Sequence, residues 1–267
     1  MNRFDGKTVL ISGGARGIGA ESARLMCEAG ASVVIGDILD DIGAELVASL
    51  SGDGHQARFI TLDVTRPDDW DAAVALATSE FGHLDILVNN AGIFLGIDFE
   101  DATMDDWNRI SAINMGGVFL GAKHCAPALK AAGANSEHGS AIVNLSSIAG
   151  LVGAPLDPLY SMTKGGVSIF TKSLALDFAR KRARIRVNSV HPGVIDTEMG
   201  QQTIDILGDR YTGGDMERAH KASVSRHPIG RLGTVTDIAK AIMYLASDDA
   251  SFTTGSNMVV DGGLTAA

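Results

Sequence analysis

Apolar positions along this chain follow two rhythms. Short runs of consecutive apolar residues recur at 8–12, 32–36, 58–62, 85–89, 140–146 and 185–190, with a last one at 256–260. Runs of that length bounded by glycine and polar residues predict strands buried on both faces. Between them lie longer stretches, at 20–29, 67–81, 104–132 and 158–182, in which apolar residues return every three or four positions. That spacing marks one face of an α-helix. The alternation predicts a parallel sheet covered by helices on both sides, an α/β doubly wound fold in a single domain over 1–267. No linker, low-complexity tract or internal repeat interrupts it.

Two segments break the rhythm. Residues 133–140, Gly-Ala-Asn-Ser-Glu-His-Gly-Ser, read as a polar loop ahead of a strand. Residues 194–230 hold Gly200, Gly208, Gly213, Gly214 and Gly230 among weakly periodic Met, Ile and Leu. Such a segment in a compact domain is a lid over a functional site or a plain helical excursion. The lid is the expectation taken here.

At 267 residues and 45% hydrophobic content, the chain has enough apolar surface for one large core. No apolar run reaches membrane-span length, and the first strand begins almost at once, so neither a span nor a leader peptide is expected. Cys27 and Cys125 stand alone and far apart, which excludes a CxxC pair or a zinc spacing. They predict two reduced structural thiols on helices of a cytoplasmic protein. His55, His83, His124, His138, His220 and His227 show no metal-ligand spacing, so no metal is expected. A formal charge of −10 argues against nucleic acid or an anionic membrane as principal partner.

The first strand runs into Ser12-Gly-Gly-Ala-Arg-Gly-Ile-Gly19 and then a helix. Gly13, Gly17 and Gly19 let the backbone turn sharply and approach a pyrophosphate, which the free N–H groups and dipole of the helix would hold. The spacing is GxxxGxG and not the commoner GxGxxG. Asp37 ends the second strand, where a carboxylate accepts hydrogen bonds from both hydroxyls of an adenosine ribose and repels an added 2′-phosphate. Arg16 points the other way as a cation that could serve that phosphate, or it is a pyrophosphate contact or a solvated side chain. On balance the pattern predicts NAD. Asp63-Val64, ending the third strand, is an adenine contact or a cap on the segment that follows.

Tyr160 and Lys164 are four apart, one helical turn, with Ser147 upstream. A cation beside a phenol favours the phenolate and makes tyrosine usable in acid/base catalysis. Asp157-Pro158 reads as an N-cap followed by proline in the first turn, which puts Tyr160 at the positive end of its helix, a second influence toward ionisation. Alone, the Tyr/Lys spacing more often means a surface pair. His191 invites a catalytic reading but has no nucleophile motif beside it, so a structural hydrogen bond is favoured. The acidic run 98–106 reads as a solvated face and helix start.

Taken together, Gly13-x-x-x-Gly17-Ile18-Gly19, Asn89-Asn-Ala-Gly92, Asn114, Ser147, Tyr160-x-x-x-Lys164 and Pro192-Gly193 resemble the short-chain dehydrogenase/reductases, in motif order and over essentially the whole chain. Gly13-Gly-Ala-Arg-Gly17, Gly36-Asp-Ile-Leu39 and Arg186-Val-Asn-Ser-Val-His-Pro-Gly193 look especially like the bacterial NAD-dependent 3α,20β-hydroxysteroid dehydrogenases and cyclic secondary-alcohol dehydrogenases. Ser12 replaces a usual threonine and Met162 a usual small residue; neither removes a functional group.

The resemblance implies a Rossmann-type sheet ordered 3-2-1-4-5-6-7 and hydride transfer at C4 of nicotinamide. It implies Tyr160 as general acid/base, Lys164 on the nicotinamide ribose, and Ser147 as donor to the substrate oxygen. Asn114 would bind a water linking Lys164 to solvent. Asn90, Ala91 and Gly92 would border the cofactor, the asparagines having strand-end stabilisation as their alternative. Ile195 and Thr197 would meet the carboxamide and pyrophosphate. A homotetramer is also implied, built on the 104–132 and 165–182 helices and the C-terminal strand.

Phe94-Leu95, residues 148–159 and residues 194–215 would border the substrate, with Leu151, Val152, Leu156, Leu159, Met199 and Ile204 supplying mostly apolar side chains. A small hydrophobic alcohol or ketone fits that lining better than a phosphorylated sugar. The alternatives are an NADP-dependent carbonyl or sugar reductase of the same fold, or a non-catalytic nucleotide-sensing protein. The presence of Asn114, Ser147, Tyr160 and Lys164 together argues against the sensor.

Overall fold

The computed structural model describes residues 4–154 and 156–266. Its elements run β1 (Thr8–Ser12), α1 (Gly17–Glu28), β2 (Ser32–Asp37), α2 (Asp40–Gly52), β3 (Ala57–Thr61), α3 (Pro67–Phe81), β4 (Ile86–Asn89), α4 (Met104–Ser111), a π-helical turn (Ala112–Gly116) and α5 (Gly117–Ala134). They continue with β5 (Ser140–Leu145), α6 (Pro158–Arg180), β6 (Ile185–Pro192), α7 (Glu198–Tyr211), α8 (Met216–Ser225), α9 (Val235–Ala246) and β7 (Asn257–Val260). The described strands form one parallel sheet in the order β3-β2-β1-β4-β5-β6-β7, as the sequence led one to expect.

The continuous apolar runs are explained by the two faces they serve. In β1, Val9 and Ile11 point to one side with Val33, Ile35, Met26 of α1 and Ile242 and Leu245 of α9. Leu10 points to the other with Val34, Leu87, Ile142, Trp70 of α3, Leu129 of α5 and Phe178 of α6. Successive strand residues face opposite ways, so a strand covered on both sides has no polar positions to alternate.

Helix α3 starts and stops where its residues dictate. Pro67 occupies its first turn and Gly82, at φ +88°, ends it in the left-handed conformation. Thr103 and Asp106 form a reciprocal capping box at α4. The long helix expected at 104–132 is instead α4, the π-helical turn and α5 in sequence. Helices α2 and α9 lie outside the stretches marked by periodicity, and residues 194–230 fold mainly as α7 and α8, the helical alternative in form. Among the described residues no helix is long and apolar enough to cross a membrane.

Strand order reverses between β1 and β4, and in such sheets ligands bind in the crevice at the carboxyl ends of the strands around that point. Residues following β1, β2, β4, β5 and β6 therefore converge on one edge.

Candidate active site

At the β1 side of the crevice the glycine turn has a shape that only glycine builds. Gly13 (φ +64°) lies so close to the next loop that a Cβ on it would sit 2.7 Å from Ala91 Cα. A Cβ on Gly19 would sit 2.1 Å from the Gly13 carbonyl oxygen. Asn90 donates from Nδ2 to that same oxygen at 2.7 Å, the strand-end role, and Ser12 Oγ accepts from Asn90 N at 3.2 Å. Gly17 faces Thr197, whose Cγ2 lies 3.8 Å from where a Gly17 Cβ would be. Arg16 occupies the N-cap of α1 without capping it, so the first-turn N–H groups there have no side-chain acceptor. Ile18 packs inward against the core.

Asp37 is buried, its Oδ2 accepting from Ala15 N at 3.0 Å and its Oδ1 from Leu39 N at 3.2 Å. Two backbone donors thus hold a carboxylate at the end of β2. Arg16 pairs with Glu198 in the first turn of α7, across the surface of the glycine turn. Asp63 caps the segment that follows it: Oδ1 accepts from both Thr65 N and Thr65 Oγ1, at 2.9 and 2.7 Å. Val64 is buried beside Gly117.

At the β5 side, Ser147 follows the strand, and its Oγ accepts from Ala149 N at 3.1 Å, leaving its proton for another acceptor. His191 on β6 sets Ser147's main chain: Nδ1 lies 2.9 Å from the Ser147 carbonyl oxygen, which can only accept. Burial holds His191 below its ordinary range, which fits a neutral, structural imidazole. Pro192 ends β6, and Gly193 N donates to Val260 O at 3.1 Å. Ile195 is buried and bridges to Gly233.

Asp157 and Pro158 start α6 as the sequence led one to expect. Asp157 Oδ1 accepts from Tyr160 N at 2.9 Å, which places Tyr160 in the first turn. Lys164, one turn on, is buried; its Nζ donates to Leu145 O at 2.8 Å and lies 5.6 Å from the centre of the Tyr160 ring. Gly92 closes the group, since a Cβ there would sit 3.2 Å from Asn114 Oδ1 and 3.3 Å from Lys164 Nζ.

Asn114 is fully buried in the π-helical turn. Its Oδ1 accepts from Ile93 N at 2.8 Å, and its Nδ2 donates to Ile93 O at 2.9 Å and Thr163 Oγ1 at 3.1 Å. Both N–H donors of the amide are therefore engaged, one by the 93 loop and one by α6.

The ionisation expected for Tyr160 from sequence is reversed. Burial pushes its phenol up to about 12, against the pull of the Ser147 hydroxyl and with an addition from the Asp157 carboxylate. Tyr160 as a whole residue is part-buried. Burial likewise pushes Lys164 down to about 8. For both groups desolvation is the largest influence.

Sequence reasoning missed the ties between loops. Asp157 Oδ2 also accepts from Leu95 N and Gly96 N, at 3.2 and 2.9 Å. Phe94 meets the Tyr160 ring edge-on at 5.4 Å. Arg210 of α7 donates to Leu156 O at 2.9 Å and Gly96 O at 2.6 Å, and pairs with Asp98 at 3.0 Å. No local pattern announces such partners, which lie 54 to 114 positions away. Around the crevice Leu156 and Ile204 are buried, whereas Leu151 and Val152 are exposed. Among the described residues no cluster of three or more His, Cys, Asp or Glu could hold a metal.

Comparison with known proteins agrees with this geometry. Residues 13–265 match the family described as enoyl-(acyl carrier protein) reductase. The chain is 40% identical over 266 residues to a cyclopentanol dehydrogenase of Comamonas sp. (strain NCIMB 9872), covering all of both chains. It is 42% identical over 271 residues to a trans-4-hydroxycyclohexanecarboxylate dehydrogenase of Sinomonas cyclohexanicum, covering 99% of this chain and 95% of that one. To a 3-alpha-(or 20-beta)-hydroxysteroid dehydrogenase of Mycobacterium tuberculosis (strain ATCC 25618 / H37Rv) it is 40% identical over 264 residues, 99% of this chain and 91% of the other. With full-length relatives of this kind and a sheet in the order 3-2-1-4-5-6-7, the chain belongs to the short-chain dehydrogenase/reductase family.

Proposed function

We propose that the protein is an NAD-dependent oxidoreductase for hydrophobic cyclic secondary alcohols and their ketones. The observation that carries this reading is the convergence of Ser147, Tyr160 and Lys164 at the sheet edge, beside a glycine turn with uncapped helix donors. Relatives named for cyclopentanol, a hydroxycyclohexane and hydroxysteroids support the substrate class.

The residues fit a nicotinamide dinucleotide. The closeness of Gly13 and Gly19 to their neighbours forms a cradle that a Cβ would fill. The first turn of α1 offers N–H groups to a pyrophosphate. Asp37 would take the adenosine ribose, Asp63 and Val64 would lie toward the adenine, and Asn90, Ala91, Gly92, Pro192, Gly193, Ile195 and Thr197 would border the rest. Asp37 disfavours a 2′-phosphate, and Arg16, which could have served one, is paired with Glu198. Both observations support NAD over NADP.

When bound, the cofactor supplies the hydride acceptor or donor. The chain supplies the proton chemistry. In oxidation Tyr160, as phenolate, takes the alcohol proton while Ser147 Oγ–H donates to the substrate oxygen. In reduction the same phenol returns its proton to the carbonyl oxygen. Lys164 would hold the nicotinamide ribose and, as a cation, favour the phenolate. A phenol raised by burial keeps its proton at neutral pH, so reduction should run well there and oxidation should climb with pH.

Helices α7 and α8 would act as the lid, with Arg210 fastening α7 to the loops beside Tyr160. Exposed Ile169 and Leu176 on α6, Phe119 on α5 and Phe252 near β7 support a homotetramer, and free buried Cys27 and Cys125 suit a cytoplasmic setting.

The test is absorbance at about 340 nm, the NADH band, with NAD or NADP and a panel of cycloalkanols, hydroxysteroids and sugars. The expected result is reduction of NAD by the cyclic alcohols. Cofactor binding without turnover on any alcohol would establish the sensor instead, and a higher kcat/KM with NADP would overturn the cofactor assignment.

A further inference from the structure

Asp157 does more than start a helix. The residue is 1% exposed, and its carboxylate accepts from three backbone N–H groups in two separate segments: Tyr160 N through Oδ1, and Leu95 N and Gly96 N through Oδ2. The segment held by Oδ2 carries Phe94, whose ring stands edge-on to Tyr160 at 5.4 Å. It also carries Gly96, at φ +67°, against which Ile206 of α7 packs where a Cβ would lie 2.1 Å from Ile206 Cδ1. Arg210 completes the arrangement by donating to Gly96 O and to Leu156 O, the residue before Asp157.

We infer that Asp157 is a positioning residue for the proton-transfer step, locking the phenol-bearing turn of α6 to the Phe94 loop while holding a carboxylate at the head of that turn. The inference rests on Tyr160 being the acid/base of the proposed reaction. Three N–H donors demand an acceptor, and a carboxylate supplies it without a proton of its own to misdirect. Neutral N-caps exist, and serine or asparagine caps a helix about as well as aspartate. What they cannot do from this position is accept from both segments at once. Serine is too short, and asparagine must turn an N–H₂ toward one set of donors.

The charge has a chemical consequence. The titratable groups on the elements around Tyr160 are Lys164 on its own helix, Asp157 at its cap, His191 on β6 against the Ser147 carbonyl, and Arg210 on α7 against the Leu156 and Gly96 carbonyls and Asp98. His191 is held neutral and Arg210 is engaged by carbonyls and Asp98, which leaves Lys164 and Asp157 as the opposed charges. Asp157 keeps the proton on the phenol and Lys164 favours its release, and the cap residue sets the balance between them.

The test needs no turnover, so it reads separately from the proposed activity. Tyrosine labelled with ¹³C at Cζ gives signals from Tyr160, Tyr211 and Tyr244, with Tyr160 assigned by its loss in Tyr160→Phe. In Asp157→Ser and Asp157→Asn, the Tyr160 titration midpoint should move down by about half a unit or more. Amide exchange at Leu95 and Gly96 should quicken by about tenfold or more in Asp157→Ser, while the interior of α6 keeps its protection. A Tyr160 midpoint that stays put or rises in both variants would overturn the role of the charge. Unchanged protection at Leu95 and Gly96 would overturn the lock.

Discussion

Replacing Lys164 by methionine removes a cation that the fold holds at a cost, and that cost has a readable pH dependence. Lys164 is 4% exposed, and burial pushes its ammonium from 10.5 to about 8. In the native state the proton leaves near pH 8, whereas the unfolded chain keeps it to about pH 10.5. Between those limits the unfolded state binds more protons, so this lysine's contribution to stability rises with pH. At about 1.4 kcal/mol per unit, the full difference is about 3 kcal/mol. Methionine has no such slope. It leaves the Leu145 carbonyl without its donor at 2.8 Å, a loss that shifts the variant's curve by a constant amount. Cys27 and Cys125, whose thiols burial pushes upward, lower stability above their unfolded pKa in both proteins and cancel in the difference. Urea unfolding at fixed protein concentration, from about pH 7 to pH 10.5, supplies the comparison. The wild type should gain about 3 kcal/mol on Lys164→Met across that range. A flat difference would refute the reasoning, and a falling one would mean that the folded state stabilises the ammonium.

Other residues carry sharper expectations for binding and stability. Asp37→Ser removes the carboxylate at the end of β2 and should raise the NADP-to-NAD ratio of kcat/KM by about tenfold or more, equivalent to about 1.4 kcal/mol. Asn114→Ala strips both Ile93 backbone groups of their buried partner and should cost about 2–4 kcal/mol, measured by denaturant midpoint. Gly19→Ala would place a Cβ 2.1 Å from the Gly13 carbonyl, and NADH fluorescence titration should show binding weakened by about tenfold or more.

The sheet was legible because its signal is local. Consecutive apolar residues, Val9-Leu10-Ile11 and Val33-Val34-Ile35, mark β1 and β2, and the strands lie within two residues of their expected bounds. Helix α3 was legible to the residue because Pro67 and Gly82 punctuate it. Helix α9 carries a local signal of its own, the Thr234–Asp237 capping box ahead of an amphipathic stretch. The π-helical turn had no such signal, because Asn114 enters it through contacts with Ile93 and Thr163 that only the folded chain creates. The residues that meet at this edge of the sheet were likewise readable from motif order, but their electrostatics were not. The Tyr160/Lys164 spacing shows a cation near a phenol, while the burial and the Asp157 charge that push the phenol up are properties of packing.

Tyr160→Phe tests the central assignment most directly. The substitution keeps the ring that Phe94 meets edge-on and removes only the hydroxyl. With NAD and the best cyclic alcohol of the panel, kcat should fall by about 10²–10⁴-fold, the usual contribution of a positioned acid/base, while the NADH dissociation constant stays within about threefold. A variant that kept wild-type kcat would contradict the assignment of Tyr160 as the group that moves the proton.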